Sequence, residues 1–394
     1  MADDWPPQFL FTTCQCGVES ALKQEIATRF AAARPSFSRP GFVTFKLESP
    51  CENPEQFQLP TTFARTCSFS LGKVAGTSTS ELAKQVWEIP AVREFVETEK
   101  IGDIHAWQRD TALPGAQGFE PGQTLLAQEI ERGIREQSPV ESLKNVPASP
   151  RPPSRRNCWV LDVVLVEPNQ WWIGCHRTTR RFDCWPGGVP PLKLPEHAVN
   201  RTYLKMAEAL EWAAMPISRG DLCIELGCAP GGATQALLDR GAQVLGVDPA
   251  EVDPEVSRHP QFQHLRRRST EVSRRQLQGV RWLAADMNVT PTYTLDAVED
   301  IVVNKSTAIR GLVLTLKLTN WKLAEELPTY IERVRSWGYR DIRVRQLAFN
   351  RREICLIALR SRSQRRVQRQ SNTRRRKDAA HASTPKPPHL PANM

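Results

Sequence analysis

The fold of this chain is decided by residues 221–232, which read Asp221-Leu222-Cys223-Ile224-Glu225-Leu226-Gly227-Cys228-Ala229-Pro230-Gly231-Gly232. A mostly apolar run comes first, a turn with three glycines follows, and residues 233–240 then have the composition of a helix. A buried strand that enters a helix through a glycine-rich turn is the repeating unit of parallel α/β sheets. We therefore predict a strand at residues 221–226 and a helix at residues 233–240.

The same alternation of strands and helices continues on the C-terminal side of this turn. Apolar or alternating segments predict strands at residues 243–247, 282–285, 311–318, 341–347 and 354–360, with a helix at residues 326–337 that ends at Gly338. This pattern predicts an α/β domain over residues 199–360 with a doubly wound, mostly parallel, Rossmann-like sheet. Ligands of such sheets bind beyond the carboxyl ends of the strands.

The glycine-rich turn is a candidate cofactor site. Asp248 ends the next strand, where a carboxylate can accept hydrogen bonds from ribose hydroxyls. A dinucleotide fold needs glycine where this chain has Ala229, and Pro230 adds bulk beside a pyrophosphate. The turn therefore favours S-adenosylmethionine over NAD, and an ordinary tight turn is the alternative. The predicted cofactor-binding residues are Glu225, Gly227, Cys228, Ala229, Pro230, Gly231, Gly232, Asp248 and Asp286.

Four charged residues are candidates for catalysis at the same edge of the sheet. Asp286 follows an apolar strand, and Lys317 lies near the end of another, where a lysine is costly unless it is paired or functional. Glu353 precedes the last strand, and Lys205 lies on a helix that leads into the sheet. Each one alone is compatible with an ordinary surface charge. Together, in this order around one cofactor turn, they predict an active site.

At this point the sequence resembles a known family. Residues 225–232 are similar to the cofactor motif of FtsJ-type RNA ribose 2′-O-methyltransferases, and residues 193–360 are similar to the branch of bacterial ribosomal RNA large subunit methyltransferases M. Further matching stretches are Asn200-Arg201-Thr202-Tyr203-Leu204-Lys205, Ala285-Asp286-Met287, Leu314-Thr315-Leu316-Lys317-Leu318 and Phe349-Asn350-Arg351-Arg352-Glu353-Ile354. Two positions depart from the family pattern: Ala233 stands where tryptophan is frequent, and Thr319 where proline is.

The resemblance implies a class I S-adenosylmethionine-dependent methyltransferase sheet and 2′-O-methylation of a ribose in RNA, with 23S ribosomal RNA as the expected substrate. The Lys-Asp-Lys-Glu tetrad of the family carries over to Lys205, Asp286, Lys317 and Glu353. Lys317 would be the general base, and burial together with the Lys205 ammonium would lower its pKa. Asp286 would hold Lys317, and Glu353 would orient Lys205 or the substrate hydroxyl. The alternatives are a methyltransferase for another acceptor and a non-catalytic RNA-binding or ribosome-assembly factor.

Residues 1–198 predict a separate α+β region, for which the resemblance implies a THUMP-like RNA-binding role. Strands are expected at residues 9–13 and 41–47 around a helix at 18–32, and residues 158–176 predict a hairpin that joins the same sheet. Residues 138–157 contain five prolines and predict a loop. The connector that follows is the predicted RNA contact, because arginines beside aromatic rings suit unpaired bases and phosphate. Its residues are Arg177, Arg180, Arg181 and Trp185, and a solvated basic loop is the alternative.

Composition sets the remaining limits. The chain has 394 residues, a mean hydropathy of −0.44 and a formal charge of +10, of which residues 361–394 carry +8. We predict that this last segment is a disordered basic tail that meets nucleic acid phosphate, or one that is merely solvated. The ten cysteines follow no disulfide or zinc pattern, so we expect free thiols and no metal. The sequence shows no secretory signal and no membrane-spanning run, so we expect a cytoplasmic protein without a membrane partner.

Overall fold

The computed structural model describes residues 8–144, 154–304 and 307–361. Within these ranges the chain builds two seven-stranded sheets, one on each side of the connector. The predicted basic tail from residue 362 onward and most of the proline-rich loop lie outside the described residues. Among the helices that the structure describes, none is long and apolar enough to cross a membrane.

The N-terminal sheet has the strand order β2-β3-β1-β4-β7-β6-β5. Its strands run antiparallel except for β5 and β6, which are parallel. The strand bounds are β1 Phe9–Thr13, β2 Ala33–Arg39, β3 Phe42–Leu47, β4 Thr66–Ala75, β5 Ile101–Gln108, β6 Trp159–Glu167 and β7 Gln170–Arg177. The predicted hairpin therefore exists as β6 and β7, and β7 joins the first strands by pairing with β4.

Five helices accompany this sheet in the described residues, namely α1 Glu19–Arg29, α2 Thr79–Glu88, α3 Pro90–Thr98, α4 Leu125–Glu136 and α5 Glu141–Lys144. Ser78 and Thr124 begin α2 and α4 by accepting a hydrogen bond from a free backbone N–H of the first turn. The α4 segment supplies the crossover that a parallel pair such as β5 and β6 requires. The helix predicted at residues 18–32 is shorter at both ends than expected.

The C-terminal sheet has the strand order β10-β9-β8-β11-β12-β14-β13, and only β14 runs against the others. Its strands are β8 Leu222–Leu226, β9 Gln243–Val247, β10 Phe262–Leu265, β11 Val280–Ala285, β12 Gly311–Lys317, β13 Asp341–Arg345 and β14 Glu353–Leu359. This confirms the predicted α/β domain with a mostly parallel sheet. The strand predicted at residues 341–347 ends two residues earlier than expected.

Helices cover both faces of the C-terminal sheet, as a doubly wound fold requires. They are α6 Thr202–Ala213, α7 Gly232–Asp239, α8 Pro254–Ser257, α9 Pro291–Val302 and α10 Leu327–Ser336. Apolar side chains of α6 and α7 pack on one face, and those of α9 and α10 pack on the other. The carboxyl ends of β8, β9, β10 and β11 are in register, so they form one continuous edge.

Direct contacts join the two sheets. The Phe63 ring meets the Trp321 ring edge-on, with 5.9 Å between centroids. The Arg345 guanidinium donates to the Arg65 carbonyl at 2.6 Å, and both arginines are buried. A buried arginine needs polar partners, so this contact fixes how the N-terminal region sits against β13.

Candidate active site

The four predicted catalytic residues meet at the carboxyl edge of the C-terminal sheet. Asp286 follows β11 directly, Lys317 ends β12, and Glu353 begins β14. The strand register places Lys317 directly opposite Glu353. Lys205 enters from the first turns of α6 on the side of Glu353. Four separate segments of the chain thus contribute one charge each to the same place, which we call the lysine cluster.

Lys317 occupies the centre of the lysine cluster. Its Nζ donates to Asp286 Oδ1 and to Glu353 Oε2, each at 2.6 Å. The other oxygen of Glu353 pairs with Lys205. The carboxylates are buried, whereas the lysine side chains keep 16% and 17% of their surface exposed. The lysine side chains therefore keep some contact with solvent, whereas the carboxylates that hold them are enclosed by the chain.

The charges of the lysine cluster shift its pKa values in opposite directions. Burial alone would raise the pKa of Glu353, but the two ammonium groups outweigh it and lower the pKa to about 2. Burial would lower the pKa of Lys317, but Asp286 and Glu353 outweigh it and raise the pKa above its ordinary value. The expectation that Lys317 has a lowered pKa is therefore wrong for this arrangement, because two carboxylates contact it directly and Lys205 does not.

A buried acid outside the predicted site residues supports this arrangement. Glu208 lies one turn after Lys205 on α6 and is 3% exposed. Its two oxygens accept the backbone N–H groups of Ala348 and Phe349, each at 2.9 Å. These amides belong to the loop that leads to Glu353, so Glu208 ties the helix of Lys205 to that loop. Its position on the apolar side of a predicted helix is the sequence feature that could have identified Glu208 as a buried acid.

A loop of the N-terminal region lies beside the lysine cluster. The carbonyl oxygen of Pro114 accepts from Arg201 Nη1 at 3.1 Å and from Arg351 Nε at 2.9 Å. Arg201 also pairs with Glu120, at 2.5 Å. Since Arg201 precedes α6 and Arg351 precedes β14, the N-terminal region forms part of the surroundings of the site.

The glycine-rich turn lies at the same edge, next to Asp286. Gly227 has a φ of +79°, and a side chain there would bring its Cβ to 2.8 Å from the Asp286 carbonyl oxygen. Asp248 follows β9, and its two oxygens accept the backbone N–H groups of Ala229 at 3.1 Å and Ala250 at 2.8 Å. Asp248 remains partly exposed, and each oxygen has a second lone pair for a ligand hydroxyl.

The remaining turn residues differ in what they offer to a ligand. Glu225 is fully buried, accepts the Thr234 hydroxyl at 2.6 Å with Oε2, and has no hydrogen-bond partner for Oε1 among the described residues. Burial raises the pKa of Glu225 to about 8. The Cys228 side chain is buried, whereas Ala229 and Pro230 reach the surface. The partly exposed Asp248 carboxylate and the surface position of Ala229 and Pro230 fit a nucleoside ligand at this turn.

The connector arginines that the sequence predicts for RNA binding have partners within the chain. Arg177 pairs with Glu55 at 3.0 Å, and Arg180 pairs with Asp183 at 3.2 Å. Arg181 pairs with Glu211 of α6, and Trp185 is half-buried. Their RNA contact stays a prediction, and it would require each arginine to exchange a carboxylate for a phosphate.

A second charged group, in the N-terminal sheet, has the residue types of a metal site. The ligand atoms of His105, Asp162 and His176 lie within 4.8 Å of one another. His176 Nδ1 lies 2.6 Å from Asp162 Oδ2, and Nε2 lies 2.8 Å from the Asp183 carbonyl oxygen. Burial would lower the pKa of His176, but Asp162 and Asp183 outweigh it and raise the pKa to about 9. We call these residues the histidine cluster.

This chain is similar to curated proteins over about half of its length. A ribosomal RNA large subunit methyltransferase M of Laribacter hongkongensis (strain HLHK9) is 32% identical over 188 residues, which are 45% of this chain and 52% of the relative. The protein of that name from Methylococcus capsulatus (strain ATCC 33009 / NCIMB 11132 / Bath) is 34% identical over 180 residues, or 43% and 50%. The matched part thus spans about half the length of these curated relatives.

Solved structures and a family profile complete the comparison. The fibrillarin pre-rRNA processing protein of Methanococcus jannaschii has a TM-score of 0.35 and 11% identity, covering 50% of this chain and 81% of its own. TrmN from Thermus thermophilus has a TM-score of 0.32 and 14% identity, covering 89% and 99%. The profile described as FtsJ-like methyltransferase matches residues 198–323, which include Lys205, Asp286 and Lys317. Residues 198–323 of this chain are therefore similar to an FtsJ-like methyltransferase domain.

Proposed function

We propose that this chain transfers a methyl group from S-adenosylmethionine to a ribose 2′-hydroxyl of RNA, and that 23S ribosomal RNA is the substrate. The observation that carries the proposal is the position of Lys317. Its Nζ is held by Asp286 and Glu353 at the strand edge that also carries the glycine-rich turn. The names of the curated relatives support ribosomal RNA as the substrate, and such a substrate would place the protein in the cytoplasm.

The glycine-rich turn would hold the cofactor. Asp248 would accept the ribose hydroxyls, and the backbone around Gly227 would lie against the nucleoside. When bound, S-adenosylmethionine supplies a methyl group that is already activated by a sulfonium. The chain then has to align the acceptor oxygen and remove its proton, for which no metal ligand is required at the lysine cluster.

Lys317 would receive the proton of the 2′-hydroxyl at Nζ. For this it must first be neutral, and Asp286 and Glu353 oppose that by raising its pKa. The reactive form is thus a small fraction at neutral pH, and the rate should rise about tenfold per pH unit until the pKa of Lys317 is reached. The carboxylates keep Nζ in one position, which contributes through orientation. Lys205 would contact the acceptor from the α6 side.

The experiment that tests this function is transfer of labelled methyl from S-adenosylmethionine to unmodified total ribosomal RNA. Wild type is compared with Lys317→Ala and with Lys322→Ala, an exposed lysine five residues further along. The label is then assigned to base or ribose after digestion of the RNA. We expect ribose label in wild type and in Lys322→Ala, and a loss of about 10²–10⁴-fold in Lys317→Ala.

Each contrary result removes a different part of the proposal. Label on a base would show another acceptor, and label that survives Lys317→Ala would exclude Lys317 as the base. An absence of transfer to both total and precursor ribosomal RNA, with cofactor bound, would favour the non-catalytic RNA-binding factor.

A further inference from the structure

The segment that follows β10 carries a dense group of arginines, which belong neither to the predicted RNA contact nor to the proposed mechanism. Residues 266–275 read Arg266-Arg267-Arg268-Ser269-Thr270-Glu271-Val272-Ser273-Arg274-Arg275. All five arginines are exposed, and the segment is held in place by two short 3-10 turns, Ser269–Glu271 and Arg274–Leu277. We call these five residues the arginine surface.

The arginine surface differs from the connector in its pairing. Arg266 contacts Glu251 at 2.8 Å. The other four make no ion pair with any residue that the structure describes; Glu271, the acid between them, accepts the backbone N–H of Arg268 instead. In the connector, each of the three predicted arginines is held by an acid. Four guanidinium groups within nine residues thus remain available to an anionic ligand.

The arginine surface begins at the same sheet edge as the active site. Leu265, the last residue of β10, pairs in register with Val247, which lies beside Leu226 and the glycine-rich turn. Four strand spacings separate β10 from β12, the strand of Lys317, which amounts to about 19 Å. Every nucleotide of an RNA strand carries one phosphate, so a short RNA segment covers that distance. One RNA segment can therefore reach both places.

We infer that the arginine surface grips the phosphate backbone of the RNA that is methylated, on the side of the cofactor turn that lies away from the N-terminal region. This inference rests on the proposed function for the identity of the ligand. Arg267, Arg268, Arg274 and Arg275 contribute charge and donors for phosphate oxygens, so the contact is independent of sequence. It fixes the register of the RNA, and the choice of nucleotide lies elsewhere.

The opposite edge of the same sheet supplies a matched control. Arg219, Arg258, Arg310 and Arg340 are exposed and lie close to the amino ends of β8, β10, β12 and β13. Replacement of either set of four by glutamine removes the same net charge from the same domain. A third variant replaces the arginine surface set by lysine, which keeps the charge.

The measurement is the salt dependence of binding to 23S ribosomal RNA transcribed in vitro, with methyl transfer measured in parallel. Loss of four phosphate contacts should reduce the slope of log affinity against log salt by about 3. The glutamine variant of the arginine surface should show this change and a raised KM at unchanged kcat. The variant in which the four arginines near the amino ends of the strands are replaced by glutamine should retain the slope of wild type. The lysine variant of the arginine surface should retain it as well.

An equal slope in the two glutamine variants overturns the inference, because only the total charge would then matter. An unchanged RNA slope with lost affinity for anionic lipid vesicles overturns it in favour of a membrane ligand. If wild type binds RNA but transfers no methyl group, the proposed function fails, and the comparison of slopes still decides the role of the arginine surface.

Discussion

The lysine cluster and the histidine cluster bury similar charges but place them differently in their sheets. In the lysine cluster, Lys317 and Glu353 lie at strand ends, and the lysine side chains remain partly exposed. In the histidine cluster, Asp162 lies in the middle of β6 and is fully buried. A charge at the end of a strand can meet a ligand, whereas a charge within a strand meets only its own chain. We therefore expect the first cluster to serve chemistry and the second to serve stability.

The largest effect on stability is expected for Asp162→Asn. The fold raises the pKa of His176 from 6.5 to about 9, so the stabilisation is complete below pH 6.5 and is lost as the pH rises through 9. A shift of this size corresponds to about 3 kcal/mol. Asp162→Asn should lower the free energy of unfolding by about this amount at pH 6 and far less at pH 10.

Denaturant unfolding of the intact chain at both pH values measures this effect. The kcat of the folded variant should stay at the wild-type value, because the histidine cluster does not contact the active site. If Asp162→Asn lowered kcat without lowering the free energy of unfolding, the histidine cluster would serve chemistry and the distinction between the two clusters would be wrong.

The ends of β8 and β11 beside the active site were predictable for a physical reason. Apolar runs such as the one before Asp286 identify a strand, and the first charge after the run marks its end. The glycines of residues 227–232 mark the turn in the same way. β2 was not predictable, because Ala33–Arg39 contains serines, a proline and arginines at an exposed sheet edge and shows no alternation.

The pairing of the charges was not predictable from the sequence. The order of Lys205, Asp286, Lys317 and Glu353 along the chain does not specify which carboxylate each lysine contacts. That choice depends on the register of β12 and β14, which places Glu353 opposite Lys317. The direction of the pKa shift of Lys317 follows from this register, so the expected sign was wrong even though the four residues are brought together.

A second test concerns Lys205→Gln, which removes a positive charge next to Glu353 while Lys317 still neutralises that acid. Because a cation is lost near Lys317, the pKa of Lys317 should rise further. We expect methyl transfer at pH 7.5 to fall about tenfold for each pKa unit of this shift.

A pH profile separates this effect from the loss of the base. Raising the pH should restore part of the rate in Lys205→Gln and none in Lys317→Ala. Equal deficits at every pH in both variants would show that Lys205 does more than set the charge of its neighbour.

Glu208→Gln tests a residue whose role at the active site is to hold the loop that leads to Glu353. Glutamine keeps the shape but offers one acceptor oxygen to two N–H groups, those of Ala348 and Phe349. A buried N–H without a partner costs about 1–3 kcal/mol. We expect that loss in the free energy of unfolding, together with a lower kcat, because the loop to Glu353 is loosened.

The control for this change is Glu211→Gln, one turn further along α6 and paired with an exposed arginine. It should leave kcat unchanged. If both variants lose stability and neither loses kcat, Glu208 has a purely structural role, and the lysine cluster keeps its geometry without it.

The smallest effect is expected for Arg181→Gln in the connector. The side chain of Arg181 is 53% exposed and pairs with Glu211, and such a surface pair contributes less than about 1 kcal/mol. For the same reason a phosphate gains little here, since it must first displace a carboxylate. The slope of RNA affinity against salt should therefore change by less than the value of about 0.7 that one full phosphate contact gives. A larger change would mean that Arg181 leaves Glu211 and binds an RNA phosphate. The predicted connector contact would then be a second contact with the RNA, in addition to that of the arginine surface.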